Sequence, residues 1–143
     1  MLKAVVDTNI FVSSLLSRKG RPAEILDSWR DALFILVTSP SIISEINSVL
    51  QRPAIKKKYR ISTESISKLI LLLEKDALLV PGVSDVSGVV PEDPSDEIFL
   101  SAALDAEAQF IVSGDRHLLD LVEFSGIPIV TVQEFFEILK KTH

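Results

Sequence analysis

Two aspartates in this sequence each follow a short apolar segment that has the composition of a buried strand. Asp7 comes directly after Ala4-Val5-Val6, and Asp115 comes after Ile111-Val112-Ser113-Gly114. In an open parallel sheet, ligands gather outside the carboxyl ends of the strands, so both side chains are expected at the same edge. Either aspartate alone is better explained as the cap of the helix that follows it. Two at one edge indicate a binding site.

Glu45 adds a third carboxylate, on a predicted helix that carries Ile42 and Val49. These residues lie three positions before and four positions after Glu45, so the glutamate borders the apolar face of its helix. A carboxylate there must find a partner or reach water along that face. The commoner explanation for a glutamate in this position is a residue at the boundary of the core, with its methylene groups packed and its carboxylate in water.

The helix predicted after Pro94 offers three further carboxylates, Asp93, Asp96 and Glu97. Asp93 is the natural helix cap, and Glu97 belongs to a mixed, outer face. Asp96 shares a face with the apolar residues of the helix, so it projects from the inward side at the helix start. Asp96 could merely interact favourably with the helix dipole. We select Asp96 as the functional residue and keep Asp93 as a further, outer ligand.

The potential metal ligands in this chain are oxygen atoms. The sequence has no cysteine and only two histidines, His117 and His143, which excludes thiolate sites and histidine-rich zinc sites. Carboxylates brought together repel one another unless a cation lies between them. An oxygen-only set suits Mg²⁺ or Mn²⁺, which also bind substrate phosphates. Such an ion polarises a phosphodiester, generates a hydroxide nucleophile and stabilises the leaving oxygen.

Short apolar segments alternate with helical patterns along the chain. Strands are predicted over residues 4–6, 34–37, 78–80, 110–113 and 127–130, and Pro128 indicates an edge position for the last strand. Helices are predicted over residues 9–16, 22–31, 41–51, 66–76, 94–106 and 132–140, with a short helical turn through Leu121. The alternation predicts an α/β fold, a three-layer α/β/α sandwich with a central parallel sheet, in a single domain over residues 1–143.

The overall charge is acidic, with a formal net charge of −5 and a pI near 5.0. This balance argues against broad, non-specific binding to nucleic acid, although clustered carboxylate ligands account for part of it. Positive charge is concentrated in two clusters, each of which is either a solvated surface or a weak RNA-binding surface. The first contains Arg18, Lys19 and Arg21, and the second contains Arg52, Lys56, Lys57, Lys58 and Arg60.

No segment of the sequence has the character of a membrane span or a signal peptide. The apolar stretches are far shorter than the ~20 residues that cross a bilayer. Met1-Leu2-Lys3 leads directly into the first predicted strand, without the shape of a secretory signal. A cytoplasmic protein with no membrane partner is expected.

Four motifs together resemble a PIN domain, above all the bacterial and archaeal group assigned to toxin–antitoxin systems. They are Val5-Val6-Asp7-Thr8-Asn9-Ile10-Phe11, Ser39-Pro40 leading to Glu45, Asp93-Pro94-Ser95-Asp96, and the segment from Ile111 to Leu119. Each motif alone is modest, but the four occur in the right order over essentially the whole chain. The resemblance implies a central parallel sheet and cleavage of single-stranded RNA that depends on Mg²⁺ or Mn²⁺. It also implies frequent homodimerisation and a cognate antitoxin protein.

Carried over residue by residue, the resemblance assigns the metal-binding and catalytic roles to an acidic quartet. Its members are Asp7, Glu45, Asp96 and Asp115, and the supporting polar positions are Thr8, Asn9 and Ser113, to which the spacing argument above adds Asp93. No acidic position of the family pattern is missing, which favours a competent enzyme.

Three other classes of protein use similar residues. A haloacid-dehalogenase-like phosphatase expects a second aspartate two residues after the first, where this chain has Asn9. A receiver-like signalling module expects a lysine after a late strand, where this chain has Gly114-Asp115. The remaining alternative is a PIN-fold module that binds RNA or a protein without cutting. The complete acidic set favours the enzyme over that module.

Overall fold

The structure, a computed structural model, describes residues 1–16, 20–86, 88–89 and 94–142. Arg18, Lys19 and Asp93 lie outside the described residues. The strands are β1 (Lys3–Val6), β2 (Ile35–Thr38), β3 (Leu78–Leu79), β4 (Phe110–Val112), β5 (Glu123–Phe124) and β6 (Ile127–Val130). The helices are α1 (Thr8–Leu16), α2 (Arg21–Arg30), α3 (Pro40–Leu50), α4 (Pro53–Tyr59), α5 (Thr63–Asp76), a 3-10 helix (Pro94–Asp96), α6 (Glu97–Ala106), α7 (Arg116–Leu119) and α8 (Val132–Thr142).

These strands form one six-stranded sheet in the order β3-β2-β1-β4-β6-β5. The pairings from β3 to β6 are parallel, and only the β5–β6 pairing is antiparallel. In the register, Val5 lies opposite Val37 of β2 and Ile111 of β4. The central strands are buried on both faces, as expected for a parallel sheet that is covered by helices. The α/β class with a largely parallel central sheet is confirmed.

Local sequence signals explain where several of the helices begin. The Ser39 hydroxyl accepts a hydrogen bond from the Ile42 N–H at 3.3 Å, and Pro40 occupies the first turn of α3. The Ser62 hydroxyl likewise accepts from the Ser65 N–H, at 3.0 Å, and begins α5, where Thr63 takes the place of the proline. At α8, Thr131 and Glu134 form a reciprocal capping box, because the side chain of each accepts the backbone N–H of the other at 3.0–3.1 Å.

The predicted edge position of the last strand is wrong, and two short elements were not predicted. Strand β6 lies between β4 and β5, with Pro128 opposite Glu123. The register with β4 begins at Ile129, after the proline, so the missing N–H falls outside that pairing. The edge is formed by β5, which has two residues and is too short to show an alternation of apolar and polar side chains. Helix α4 begins at Pro53, in the stretch between the helices predicted over residues 41–51 and 66–76.

Helix packing on the sheet encloses one continuous core. Helix α6 contacts β1, β2 and β4, and its residues from Phe99 to Ala103 are buried. Helix α8 contributes Phe135, whose ring meets Phe34 edge-on at a centroid distance of 5.0 Å and lies 6.1 Å from the ring of Phe110. None of the described helices is both long enough and apolar enough to cross a membrane.

We predict that Phe135→Ala destabilises the fold strongly. Phe135 is fully buried between two aromatic rings, and its truncation leaves a cavity that rigid neighbours cannot fill. The expected loss in the free energy of unfolding is about 3–5 kcal/mol, measured by urea denaturation. Val83→Ala is the control, because Val83 is exposed and its truncation should change stability by less than about 0.5 kcal/mol. Equal stabilities of the two variants would contradict the packing of α8.

Candidate active site

Asp7 is a buried carboxylate at the carboxyl end of the central strand. Its backbone N–H continues the ladder by donating to the Val112 carbonyl at 3.1 Å. Its side chain is only 3% exposed and accepts hydrogen bonds from the Ser113 hydroxyl, from the Ile10 N–H at 3.2 Å and from the Gly114 N–H at 3.3 Å. Burial raises the pKa of Asp7 above its ordinary value, although these hydrogen bonds oppose the shift.

Ser113 and Asp115 extend the same edge from the neighbouring strand β4. The fully buried Ser113 donates its hydroxyl to Asp7 and accepts the Asp115 N–H at 2.9 Å. Asp115 caps α7, because its Oδ1 accepts from the N–H groups of His117 at 2.7 Å and Leu118 at 3.3 Å. The negative charge of Asp115 also contributes, as the smallest of the causes, to the raised pKa of Asp7. Asp115 therefore both caps α7 and lies close enough to Asp7 to affect its pKa.

A hydrogen bond joins Glu45 of α3 to the start of α1. The Thr8 hydroxyl donates to Glu45 Oε2 at 2.5 Å. Thr8 is buried, and Glu45 is half-buried on the side of α3 that faces this edge. The contact fixes one carboxylate oxygen of Glu45 beside the strand end that carries Asp7.

Asp96 is the residue of the third acidic motif that reaches the same edge. It ends the 3-10 helix immediately before α6 and is buried. Glu97, the next residue, lines a different cavity with Ser84 and Ser101. Asp93 lies outside the described residues, so its place as an outer ligand stays a prediction.

One cleft of about 190 Å³ brings these side chains together. Its described lining consists of the four acidic residues, two supporting residues and four others: Asp7, Glu45, Asp96, Asp115, Thr8, Asn9, Val49, Arg52, Ser95 and Phe99. Ser113 is not part of this lining, but its hydroxyl donates a hydrogen bond to Asp7. Ser95, Val49 and Phe99 were not predicted as site residues; the last two follow from the helical spacing around Glu45 and Asp96.

The oxygen atoms that line the cleft are the ligand type that a hard divalent cation prefers. The described carboxylates are not, however, arranged closely enough to surround such an ion. Among the described residues, no three or more His, Asp or Glu side chains lie close enough together to bind one metal ion. Protein donors engage the carboxylates instead: Ser113 binds Asp7, Thr8 binds Glu45, and α7 binds Asp115. All candidate ligands in the cleft are oxygen atoms, the preference of Mg²⁺ and Mn²⁺.

The cationic residues predicted to bind RNA separate into different environments. Arg52 lines the cleft. Arg21 pairs with Glu24 at 3.2 Å and lies over the Phe136 ring at 5.3 Å. Lys56 donates to Gln51 and Thr63 at 3.2 and 2.9 Å, whereas Lys57 and Lys58 are exposed on α4. Arg18 and Lys19 lie outside the described residues.

A family model described as PIN domain matches residues 3–117. The chain belongs to the PIN domain family. The match spans the segments that carry Asp7, Glu45, Asp96 and Asp115, and it confirms the family that the sequence motifs resemble.

Two known proteins extend the comparison of this PIN domain. An uncharacterized protein from Methanocaldococcus jannaschii is 28% identical over 148 residues, an alignment that covers 98% of this chain and 93% of the relative. The crystal structure of VapBC2 from Rickettsia felis, bound to a DNA fragment from its promoter, matches with a TM-score of 0.60 and 13% identity. That match covers 91% of this chain and 98% of the other, and at such identity it shows a shared fold.

We predict that Asp7→Asn stabilises the metal-free protein at neutral pH. Because the pKa of Asp7 is raised on folding, the folded state holds more protons than the unfolded state between the ordinary and raised values. Stability therefore falls as pH rises through that window and stays lowered above it. The asparagine variant lacks this penalty, so its melting temperature in EDTA should exceed that of the wild type increasingly as pH rises through the window.

Asp27→Asn is the matched control, because Asp27 is an exposed carboxylate on α2. Its difference from the wild type should stay small and show no such trend across the same pH series. A difference of 1 kcal/mol corresponds to roughly 2–4 °C for a domain of about this size. An Asp7→Asn variant that melts below the wild type at every pH would show that burial does not penalise this carboxylate.

Proposed function

We propose that this PIN domain is an endoribonuclease that cleaves phosphodiester bonds of single-stranded RNA with a divalent metal ion. The observation that carries the proposal is the convergence of Asp7, Glu45, Asp96 and Asp115 on one cleft. These residues come from four separate segments of the chain, so local helix or turn formation does not explain their meeting. Membership of the PIN family and an oxygen-only donor set support the same chemistry.

Mg²⁺ or Mn²⁺ would be held by the four carboxylates, and when bound it supplies charge neutralisation for the phosphate and activation of water. The chain's own residues orient those ligands. Ser113 donates to Asp7 and Thr8 donates to Glu45, so each supporting hydroxyl fixes one carboxylate. Asn9 is exposed at the cleft, where its amide can contact the substrate or a ligand. Phe99 and Val49 are the apolar side chains in the described lining of the cleft.

A cognate antitoxin is the protein partner that we propose. A groove of about 720 Å³ runs between α1, α2 and α5, with apolar residues Leu15, Leu26 and Leu69 in its lining. Arg30 and Lys68 also line it beside one carboxylate, Asp27, so its charge is net positive and the groove suits a segment that combines apolar and acidic side chains. The likeness in fold to VapBC2 supports the pairing of the chain with an antitoxin.

Homodimerisation is the second assembly that we propose. Exposed apolar residues border the β3 edge of the sheet: Leu79 of β3 is 48% exposed, and Leu71 of the neighbouring helix α5 is 64% exposed. They line a shallow groove with Ile43 and Ile70, between α3 and α5. A sheet edge bordered by exposed apolar side chains is a ready surface for association with another chain.

The second candidate function is a PIN-fold module that binds RNA or a protein without cutting. One observation favours this module. Protein hydroxyl groups already hydrogen-bond to Asp7 and Glu45, and the described carboxylates are not grouped as the ligands of a metal ion. Calorimetry with Mn²⁺ separates the two functions, because the nuclease requires metal binding and the binding module does not.

We predict that Asp7→Asn and Asp115→Asn abolish RNA cleavage while the fold survives. Each change removes a charged ligand, and a loss of at least about 100-fold in rate is expected. Asparagine is itself a good helix cap, so α7 should persist in Asp115→Asn. The measurement is cleavage of a mixed RNA pool with Mn²⁺ and with EDTA, alongside circular dichroism. Cleavage that persists in EDTA and in both variants would refute the carboxylate site.

Asp96 and Asp93 are predicted to respond differently to the same substitution. Asp96 lines the cleft, so Asp96→Asn should lower the cleavage rate by at least about 100-fold. Asp93→Asn should lower the rate less, by about 10-fold, which is the lower end of the effect of groups that support metal ligands from outside. Glu97→Gln is the neighbouring control, because Glu97 lines a different cavity. A larger loss in Asp93→Asn than in Asp96→Asn would reverse the assignment.

A further inference from the structure

Arg52 lies at the cleft because of its spacing from Glu45. Glu45, Val49 and Arg52 are separated by four and then three residues, which places them along one side of α3 and the turn that follows it. All three line the cleft. Seven residues of helix correspond to about 10 Å along the axis, so Arg52 stands at the rim while Glu45 stands deeper.

The backbone of Arg52 is fixed although its side chain is exposed. Its N–H donates to the Val49 carbonyl at 3.2 Å, and its carbonyl accepts from the N–H groups of Ile55 and Lys56 at 3.0 Å each. Pro53 restricts the conformation of the residue before it and occupies the first turn of α4. The turn therefore presents the guanidinium from a defined point at the rim of the cleft.

Electrostatics gives Arg52 a distinct role in this acidic surrounding. Among the described residues that line the cleft, it is the one cation beside four carboxylates. It forms no ion pair within the described part of the chain, where the salt bridges join Arg21 to Glu24 and Lys140 to Glu137. A free guanidinium next to carboxylates that are held by other donors is available for an anion brought by a ligand.

We propose that Arg52 binds the non-bridging oxygens of an RNA phosphate adjacent to the phosphodiester that is cleaved. This inference rests on the proposed ribonuclease function and names the residue that positions its substrate. A guanidinium has N–H donors and no acceptor, so Arg52 is not itself a metal ligand, and its exposure leaves it open to an RNA strand that enters the cleft. A planar guanidinium matches two phosphate oxygens at once, which lysine does not.

The test compares Arg52→Ala, Arg52→Lys and the control Lys75→Ala in cleavage and binding of a short single-stranded RNA. Lys75 is an exposed cation on α5 outside the cleft, so its removal changes the net charge equally. Arg52→Ala should lower kcat/KM by about 10- to 100-fold, the size expected for a lost charged hydrogen bond. The slope of log affinity against log salt should become shallower by about 0.7, the value for one phosphate contact on a single strand.

Two further readouts separate substrate contact from a structural role. Arg52→Lys should keep the wild-type salt slope, because the charge remains, yet show an intermediate kcat/KM, because the two-oxygen geometry is lost. The increase in melting temperature caused by Mn²⁺ should be the same in all variants, since Arg52 is not a metal ligand. A set of RNAs that each carry one neutral methylphosphonate linkage should include one on which Arg52→Ala and the wild type are equally active.

The outcomes distinguish failure of this inference from failure of the ribonuclease proposal. If the wild type cleaves RNA with Mn²⁺ but Arg52→Ala matches Lys75→Ala in rate and salt slope, the role of Arg52 is refuted. Loss of the Mn²⁺-induced stabilisation in Arg52→Ala would also refute it, because the residue would then act on the metal site. If the wild type binds RNA through Arg52 without cleaving it, the phosphate contact stands and the nuclease proposal fails.

Discussion

Strand β1 pairs with β2 on one side and with β4 on the other, and the position of the whole acidic cleft depends on this pairing. Because the three strands are parallel, their carboxyl ends meet at one edge of the sheet. Asp7 follows β1, Asp115 follows β4 after two residues, and α3 with Glu45 follows β2 after Ser39. The Asp7 N–H extends the ladder onto the Val112 carbonyl, so the backbone that carries this carboxylate belongs to the sheet itself.

Polar groups enter the core of this protein mainly at that same edge. Among the described residues, the buried polar side chains include Asp7, Thr8, Thr38, Ser39 and Ser113, all at or just beyond the ends of β1, β2 and β4. Elsewhere the strands contribute apolar side chains to the core. Burying a carboxylate opposes folding unless donors compensate, and here three donors converge on Asp7 without cancelling the effect of burial on its pKa. Such a concentration of buried polar groups is typical of a functional site.

The predictable parts of the fold and of the site are those that depend on local pattern. Apolar strands that end in aspartate identified Asp7 and Asp115, and helical spacing selected Asp96 over its neighbours. The strand β5 was not predictable from alternation, because it consists of two residues and depends on a turn with positive φ at Ser125 and Gly126. Helix α4 was missed because it has no buried residue, so no apolar periodicity marks it.

Arg52 shows why the rest of the site needed the structure. In the sequence it is one of five cations in residues 52–60, a stretch without an acidic residue, and nothing local distinguishes it from the others. The distinction arises when α3 places Glu45 at the sheet edge, because the same helix then places its own end beside the cleft. Helix α4, which continues from that point, carries Lys57 and Lys58 into solvent.

For the RNA substrate that we propose, this arrangement reconciles an acidic protein with a polyanionic ligand. A net charge of −5 describes the field at a distance, whereas contacts within a Debye length of about 8–10 Å depend on the nearest groups. Carboxylates at the floor of the cleft favour a divalent cation, and the cations of residues 52–60 begin at its rim. A single-stranded RNA that approaches along α4 would therefore meet positive charge before it meets the carboxylates. Under the proposed function, the local order of charges, rather than the net charge, is therefore the property on which RNA binding in the cleft depends.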